Sequence, residues 1–250
     1  MYNCRKMDKP AFNKNLKETA DPPRMIHGIF NWCDRWCERC SHTRHCTVYQ
    51  TAPRRTNGNA DDFCKSLAAL FDATMDVLKE QAQKAGLDFN ALQDMDMAND
   101  LERKKYAVRN NSCLLLAKQY GRQVNKWFDA FAEKEAVGME IRLQDPMLSD
   151  CLEVIRWYQY FLEVKTARAL MSQKEEEEEH STACDSLGNA KAVLVSLERS
   201  IGAWGYLFQK ITEDEDPVLA ILVDLQKLCR QVERQFPEAR NFIRPGLDER

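Results

Sequence analysis

Glycine and proline are scarce in this chain, with only 9 Gly and 8 Pro among 250 residues. Both residues end helices and form the turns between short strands, so their scarcity argues against a fold of many short strands. Alternation of apolar and polar residues over a useful length is also lacking, and no repeat recurs at a fixed period. The sequence therefore predicts an all-α fold.

Long apolar runs are lacking too, since no stretch of about 18 apolar residues occurs. The first 20 residues are polar and carry Lys and Arg throughout, without the apolar core of a secretory signal. We therefore expect a cytoplasmic protein that has no membrane partner. Because disulfides are rare in the cytoplasm, the 10 cysteines indicate metal ligands and buried thiols instead.

Histidine is the scarcest catalytic residue, with four copies, at positions 27, 42, 45 and 180. These cannot credibly be combined with Ser and Asp residues into a catalytic triad, and neither a Gly-rich phosphate loop nor a nucleophile elbow is present. Charged residues of one predicted helix, such as Lys165 and Arg168, are interpreted as ordinary surface pairs. Catalysis by protein side chains is therefore not expected, and the partner we expect is another protein or a redox partner.

Charge is unevenly distributed along the chain. Residues 1–60 carry 11 Lys and Arg against 5 Asp and Glu, although the whole chain has a net charge of −3. Arginines interleaved with tryptophans could bind phosphates and stack on bases, as nucleic-acid surfaces do. They could equally dock on the acidic remainder of the chain or offset the charge of bound thiolates. We favour the second interpretation and keep nucleic acid as the alternative.

Cysteine, in contrast, is concentrated in one short part of the sequence. Cys33, Cys37, Cys40 and Cys46 fall within fourteen residues, separated by three, two and five others. Thiolates are soft donors, and this spacing allows four of them to converge on one metal ion or one iron–sulfur cluster. The remaining cysteines are far apart, and four of them lie beside apolar residues and are predicted to be core thiols: Cys64, Cys113, Cys151 and Cys229.

The identity of the metal is less tightly constrained than its ligands. Structural zinc sites commonly join two Cys-x2-Cys pairs from distant parts of a chain, whereas this compact loop contains one such pair, Cys37 and Cys40. The spacing therefore favours a [4Fe-4S] cluster. Zinc is the alternative, and in that case His42 or His45 could replace a cysteine.

The pattern Cys37-x2-Cys40-x5-Cys46, followed by Tyr49, resembles the [4Fe-4S] loop of the WhiB-like regulators. The same spacing ends the cluster loops of endonuclease III-type DNA glycosylases and Cas4-type nucleases. The resemblance implies that these three cysteines are cluster ligands and that Cys33 is the fourth. In those families the remaining ligand lies farther away, and a common proline is replaced here by Ser41. Because only the loop is similar, the resemblance implies the cofactor and not a DNA function.

Cys33-x3-Cys37-x2-Cys40 also has the spacing found in radical S-adenosylmethionine enzymes. That chemistry needs an iron without a cysteine ligand and a surrounding β/α barrel. Here Cys46 can close the site, and the sequence lacks β/α alternation. We therefore exclude this interpretation.

Three segments are predicted. Residues 1–23 form an irregular N-terminal segment, residues 24–59 a cysteine-rich metal-binding module with a linker, and residues 60–250 an antiparallel helical bundle. Its first helix should stop at Gly86, and the second helical region, about 100–135, should break near Gly121. A third helix begins at Pro146, and Glu175–Glu179 is predicted to be a solvated loop because like charges repel.

The last two helices have the clearest apolar periodicity. Leu187, Ala190, Leu194, Leu197, Ile201, Trp204, Phe208 and Ile211 alternate spacings of three and four, and a second stripe runs from Val218 to Phe236. Such stripes are typical of the buried seams of antiparallel bundles. Apolar burial alone should therefore hold the predicted bundle together.

Overall fold

The computed structural model of the chain describes residues 25–51, 60–86, 97–179, 184–210 and 215–248. All regular structure within these ranges is helical, which confirms the predicted all-α fold. Cys37–Arg39 and Thr43–His45 are single turns of 3-10 helix, and the α-helices are α1 (Thr47–Thr51), α2 (Ala60–Lys84), α3 (Met97–Val108), α4 (Ser112–Gln144), α5 (Pro146–Glu179), α6 (Asp185–Lys210) and α7 (Glu215–Gln235).

The chain divides into two compact units. One comprises Met1–Phe30 and Cys37–Asn99, and the other comprises Asn31–Trp36 and Asp100–Arg250. A six-residue segment from the cysteine-rich region thus belongs to the same unit as the long C-terminal helices. The predicted boundaries at residues 24 and 60 stay a prediction, and the predicted irregular segment 1–23 lies outside the described residues.

The C-terminal unit contains a four-helix bundle. Helices α4 and α6 each pack against both α5 and α7, so the four helices form a closed ring of neighbours. Between α4 and α5, Gln159 Nε2 donates to the carbonyl of Gly121 at 3.1 Å, and the guanidinium of Arg156 lies 3.9 Å from the ring centre of Phe128. Residue numbers rise along one helix as they fall along the other, so this pair is antiparallel, as predicted.

Aromatic side chains fill the centre of the bundle. Trp204 and Tyr120 are fully buried, and Trp204 Nε1 donates to the Tyr120 hydroxyl at 3.2 Å. The ring of Trp127 meets that of Trp204 edge-on, with centroids 5.0 Å apart. Burial raises the pKa of Tyr120 to about 12, so its phenol stays protonated at neutral pH.

The predicted apolar seam of α6 is confirmed in the described residues. Ala190, Leu194, Leu197 and Trp204 are all buried, whereas Leu187, Ile201 and Phe208 are partly buried against the same core. Ile211 lies outside the described residues. The spacing of three and four therefore identified the face that α6 turns toward its neighbours.

The predicted break near Gly121 is wrong, because α4 runs through this residue without interruption. The interruption comes earlier, at Asn111, whose side chain accepts a hydrogen bond from the N–H of Cys113 at 2.9 Å and caps α4. A Cβ on Gly121 would lie 3.5 Å from the backbone oxygen of Gln159. The glycine thus lies where α4 and α5 pack together. The predicted stop after α2 is confirmed, since Gly86 has a φ of +70° beyond Lys84.

The predicted loop at Glu175–Glu179 is also wrong, because α5 continues to Glu179. Two of the glutamates have partners in other helices that offset their mutual repulsion. Glu175 forms an ion pair with Lys104 at 2.9 Å, and Glu176 accepts a hydrogen bond from the N–H of Ser186 at 2.9 Å. Contacts distant in sequence therefore extend the helix by more than one turn.

Membrane insertion has no helical candidate in the part of the chain that the structure describes. None of its helices combines the length and the apolar character needed to cross a bilayer.

Candidate metal centre

Three of the four candidate ligands lie on or directly after the two single turns of 3-10 helix. Cys37 begins the first turn, and the N–H of Cys40 donates to the Cys37 carbonyl at 3.2 Å. Cys46 directly follows the second turn, Thr43–His45. Side chains three residues apart eclipse each other in this geometry, so the turn places Cys37 and Cys40 on one side.

Hydrogen bonds hold the loop and reach one sulfur atom. The N–H of His42 donates to Cys40 Sγ at 3.4 Å. Gln50 Nε2 donates to the Thr43 carbonyl at 3.0 Å, and the N–H of Ile26 donates to the carbonyl of His45 at 3.0 Å. Bonds from N–H groups to sulfur are among the factors that set the potential of a cluster. The loop thus already contains one such contact.

The cysteines differ in exposure along the chain. All four candidate ligands are half-buried, whereas Cys113, Cys151 and Cys229 are buried, as predicted for core thiols. The prediction for Cys64 is wrong, because this thiol is exposed on α2. On that helix Leu67, Leu70 and Val77 are among the half-buried apolar residues, so the exposed thiol lies off the sheltered stripe.

The structure does not bring three or more candidate ligands into a metal-binding arrangement. Among the residues it describes, no group of three His, Cys, Asp or Glu side chains is placed to hold an ion. Cys33 belongs to the C-terminal unit, and Cys37, Cys40 and Cys46 belong to the other. The ligand set, the [4Fe-4S] cluster and the zinc alternative with His42 or His45 therefore stay predictions.

Cys33 lies in a segment whose backbone carbonyls accept hydrogen bonds from side chains of the bundle. Within Asn31–Trp36, the carbonyl of Asn31 accepts from Lys165 Nζ at 2.7 Å, and the carbonyl of Asp34 accepts from Trp157 Nε1 at 3.0 Å. Both donors lie on α5. An irregular segment has no internal ladder of hydrogen bonds, so side chains of the bundle supply partners for its carbonyls.

Trp32 precedes Cys33 and occupies a specific pocket. Its Nε1 donates to Asp185 Oδ1 at 2.9 Å, and its ring meets that of Phe242 edge-on, with centroids 5.0 Å apart. Its carbonyl accepts from the guanidinium of Arg244 at 3.4 Å. On α6, Gly188 leaves room for the indole, since a Cβ there would lie 2.5 Å from the Cδ1 atom of Trp32. Only glycine fits at this position without movement.

Asp34 follows Cys33 and accepts three hydrogen bonds. One carboxylate oxygen accepts from the N–H of Trp36 at 3.1 Å. The other accepts from the Tyr158 hydroxyl at 2.8 Å and from Arg199 at 2.6 Å. Burial raises the pKa of Tyr158 to about 12, partly against the effect of Arg199. The phenol therefore remains a donor to the carboxylate at neutral pH.

Trp36 closes the segment by stacking on the bundle. Its ring lies parallel to that of Trp157, with centroids 4.9 Å apart and an angle of 11° between the planes, and it meets Tyr158 edge-on. Between Asp34 and Trp36 the backbone turns through Arg35, which has a φ of +59°. Left-handed backbone is unfavourable for a residue with a Cβ, so neighbouring contacts must sustain it.

Arg35 and Lys165 provide the cationic environment of Cys33 within this unit. Burial raises the pKa of the Cys33 thiol, against the lowering effects of the Arg35 N–H and of the charges on Arg35 and Lys165. Burial also lowers the pKa of Lys165 to about 8, although the charges of Cys33 and Asp185 oppose this. The thiolate is the form that binds metal, and a nearby ammonium group favours it.

The interpretation of Lys165 as an ordinary surface residue is wrong. Its ammonium donates to the Asn31 carbonyl and, at 2.9 Å, to Asn189 Oδ1. Arg168 does form a partly exposed ion pair, but its partner is Asp185 on α6, at 3.1 Å, rather than a residue one turn away.

Sequence reasoning missed the residues that bind Asn31–Trp36 to the bundle. Asp34, Tyr158 and Arg199 form one network, yet up to 165 positions separate them in the sequence. Two local signals could have pointed to this contact. Tryptophans flank Cys33 in Trp32-Cys33-Asp34-Arg35-Trp36, and Gly188 interrupts an otherwise favourable helix at its first turn.

Comparison of the chain with protein-family models, with curated proteins and with solved structures finds no match.

Proposed function

We propose that this protein binds a [4Fe-4S] cluster through Cys33, Cys37, Cys40 and Cys46. The observation that carries the proposal is the placement of four half-buried thiols within fourteen residues. A cluster bound there would give the protein a role in redox sensing, electron transfer or local structure. A protein redox partner would then supply or accept the electrons.

The donor set and its surroundings suit a cluster. Thiolates are the usual ligands of iron–sulfur clusters, which supply one-electron transfer when bound. The His42 N–H at Cys40 Sγ adds a hydrogen bond to sulfur, and the cations Arg35 and Lys165 would offset the negative charge of bound thiolates at Cys33. The charges of Arg35 and Lys165 favour the Cys33 thiolate against the effect of burial.

Zinc is the second candidate, in a site that fastens an interaction module. The supporting observation is that His42 and His45 are both half-buried in the same loop as three of the cysteines. Imidazole and thiolate together form common structural zinc sites. The module would then interact with nucleic acid or an acidic protein surface through the basic charge of this region.

The experiment that separates these candidates is anaerobic purification of the full chain followed by spectroscopy and metal analysis. A cluster gives a brown protein with a broad band at roughly 400 nm and about four iron and four sulfide per chain. A colourless protein with one zinc per chain contradicts the cluster and supports the second candidate.

Cysteine variants identify the ligands. Cys37→Ser and Cys40→Ser should lose the metal, because serine is a poor ligand for soft metals. Cys64→Ser is the matched control, since this exposed thiol lies outside the loop and its variant should keep the full metal content. Equal metal content in Cys37→Ser and Cys64→Ser would remove Cys37 from the site.

A further inference from the structure

The residues on both sides of Cys33 make specific contacts with the bundle. Trp32 fills the pocket over Gly188, and Asp34 accepts bonds from Tyr158 and Arg199. All of these partners belong to the C-terminal unit, as Cys33 does. The position of Cys33 is thus determined by side chains that the metal proposal does not use.

We propose that Asp34 and Arg199, assisted by Tyr158, are positioning residues that fix Cys33 on the bundle before any metal binds. The inference rests on the proposed function for its purpose, because a fixed Cys33 is useful to a protein that must gather ligands. The contacts that carry it are independent of the metal.

The backbone around Cys33 supports this role. Asp34 accepts the N–H of Trp36 and so closes a turn over Arg35, whose φ is +59°. Short polar side chains favour such turns by bonding to the backbone two residues on. Loss of the Asp34 contacts should therefore release the turn and, with it, the adjacent Cys33.

Because the bundle holds Cys33 in place, it would also increase the affinity of the site for metal. A ligand that is already held loses less conformational freedom on binding than one in a mobile loop. Ligands of functional sites need support from surrounding hydrogen bonds to keep their geometry. Asp34, Tyr158 and Arg199 provide that support for Cys33.

The test measures how quickly iodoacetamide alkylates each cysteine in the metal-free full chain, with mass spectrometry to assign the sites. We expect Arg199→Met to increase the alkylation rate of Cys33 by roughly three- to tenfold, since it loses a charged hydrogen bond that solvent partly screens. Arg199→Lys should have a smaller effect, because the ammonium can still donate to Asp34.

Arg240→Met is the matched control. Arg240 also pairs with carboxylates, Glu198 and Glu233, and its side chain is 48% exposed, against 54% for Arg199. Because the guanidinium of Arg240 donates to these two carboxylates and not to residues 31–36 of the described structure, its variant should leave the Cys33 rate unchanged. The buried thiols Cys113 and Cys151 report unfolding of the bundle and should stay slow in every variant.

Tyr158→Phe is a second, milder variant that should still fold, since it removes only the hydroxyl that donates to Asp34. Faster alkylation of Cys33 alone, in this variant and in Arg199→Met, supports positioning. An unchanged Cys33 rate in either variant overturns it. Metal analysis of the unsubstituted protein is a separate experiment. If that protein binds no metal, the proposed function is contradicted, but the alkylation result still decides whether Cys33 is positioned by the bundle.

Discussion

At the scale of single residues, Gly188 is the position where the absence of a side chain is most clearly required. A Cβ there would overlap the indole of Trp32, and overpacking of this kind costs roughly 1–3 kcal/mol. We expect Gly188→Ala to lower the melting temperature by roughly 2–10 °C, as measured by circular dichroism.

Gly202→Ala is the control for this prediction. Gly202 lies on the same helix, and nothing lies within 4 Å of the position that its Cβ would take. Alanine favours helix by about 0.5–1 kcal/mol over glycine, so this variant should be as stable as the parent or more stable. Equal melting temperatures for the two alanine variants would contradict the assigned role of Gly188.

Asp224 carries a pH-dependent contact between α7 and α4. It accepts from Gln119 at 2.6 Å, Gln123 at 2.9 Å and Lys227 at 2.9 Å, and only 8% of the residue is exposed. Burial alone would raise the pKa of this carboxyl, but the hydrogen bonds from Lys227, Gln123 and Gln119 outweigh it and hold the pKa below 3.8.

A lowered pKa in the folded state means that the ionised carboxylate stabilises the fold above the ordinary pKa and that this stability is lost as pH falls. We expect Asp224→Asn to be less stable than the parent by about 1–2 kcal/mol at pH 7. The difference should narrow as pH falls below 3.8. Urea unfolding at several pH values measures it, and Asp129→Asn, at an exposed position in the middle of α4, should change the stability at pH 7 by less than about 0.5 kcal/mol.

Residue-scale prediction from sequence succeeded for three of the four expected core thiols, was wrong for Cys64, and missed the network at Asp34. Cys113, Cys151 and Cys229 follow from local apolar periodicity, because burial repeats with the helix. The bond from Arg199 to Asp34 joins residues 165 positions apart, and nothing local indicates which charges will meet. The ligand spacing remains the strongest local signal for the metal.

At the scale of helices, the C-terminal end of α5 supports the start of α6. The carboxylate of Glu176 accepts the N–H and the hydroxyl of Ser186, in the first turn of α6, where negative charge is favourable. We expect Glu176→Ala to destabilise the bundle by about 1–2 kcal/mol in thermal unfolding.

Glu177→Ala supplies the comparison within the same run of glutamates. Glu177 is exposed and pairs only loosely with Lys174, at 3.8 Å, so its loss should change stability by less than about 0.5 kcal/mol. A loss as large as that of Glu176→Ala would mean that general charge, rather than the contact with Ser186, determines the result.

Helices were predicted correctly where the apolar periodicity extended over many residues. They were predicted incorrectly where a helix end was inferred only from the type of residue present. The seam of α6 identified its buried face, because burial of an apolar stripe is the main source of helix stability. Gly121 and Glu175–Glu179 were misjudged for the opposite reason. Both are weak in isolation, and both are kept helical by partners on other helices, Gln159 for the first and Lys104 with Ser186 for the second.

At the scale of the whole molecule, the bundle should fold without the N-terminal residues but should lose stability. The buried core lies within residues 108–239, and a chain that begins at Ala60 retains all of it. It lacks Trp32 and Trp36, however, which pack on α5 and α6. We expect this chain to be helical and cooperative in unfolding, yet less stable by about 3 kcal/mol.

A chain that begins at Asn31 is the matched comparison, since it keeps the segment that the bundle binds. Its stability should lie close to that of the full chain when both are measured by urea unfolding. If the two truncated chains are equally stable, the contacts of Asn31–Trp36 contribute nothing measurable.

The contacts of Trp32 and Asp34 also impose an order on events during synthesis. Their partners Asp185, Arg199 and Arg244 follow 153, 165 and 212 residues later. At roughly 5–20 residues per second, a ribosome needs on the order of 10–40 s to deliver the last of them. During that interval Cys33 has left the ribosome, but the residues that bind its neighbours have not all been synthesised. A cofactor delivered to the nascent chain would therefore meet a Cys33 thiol without its bundle contacts, whereas one delivered to the finished chain would meet a Cys33 that the bundle holds.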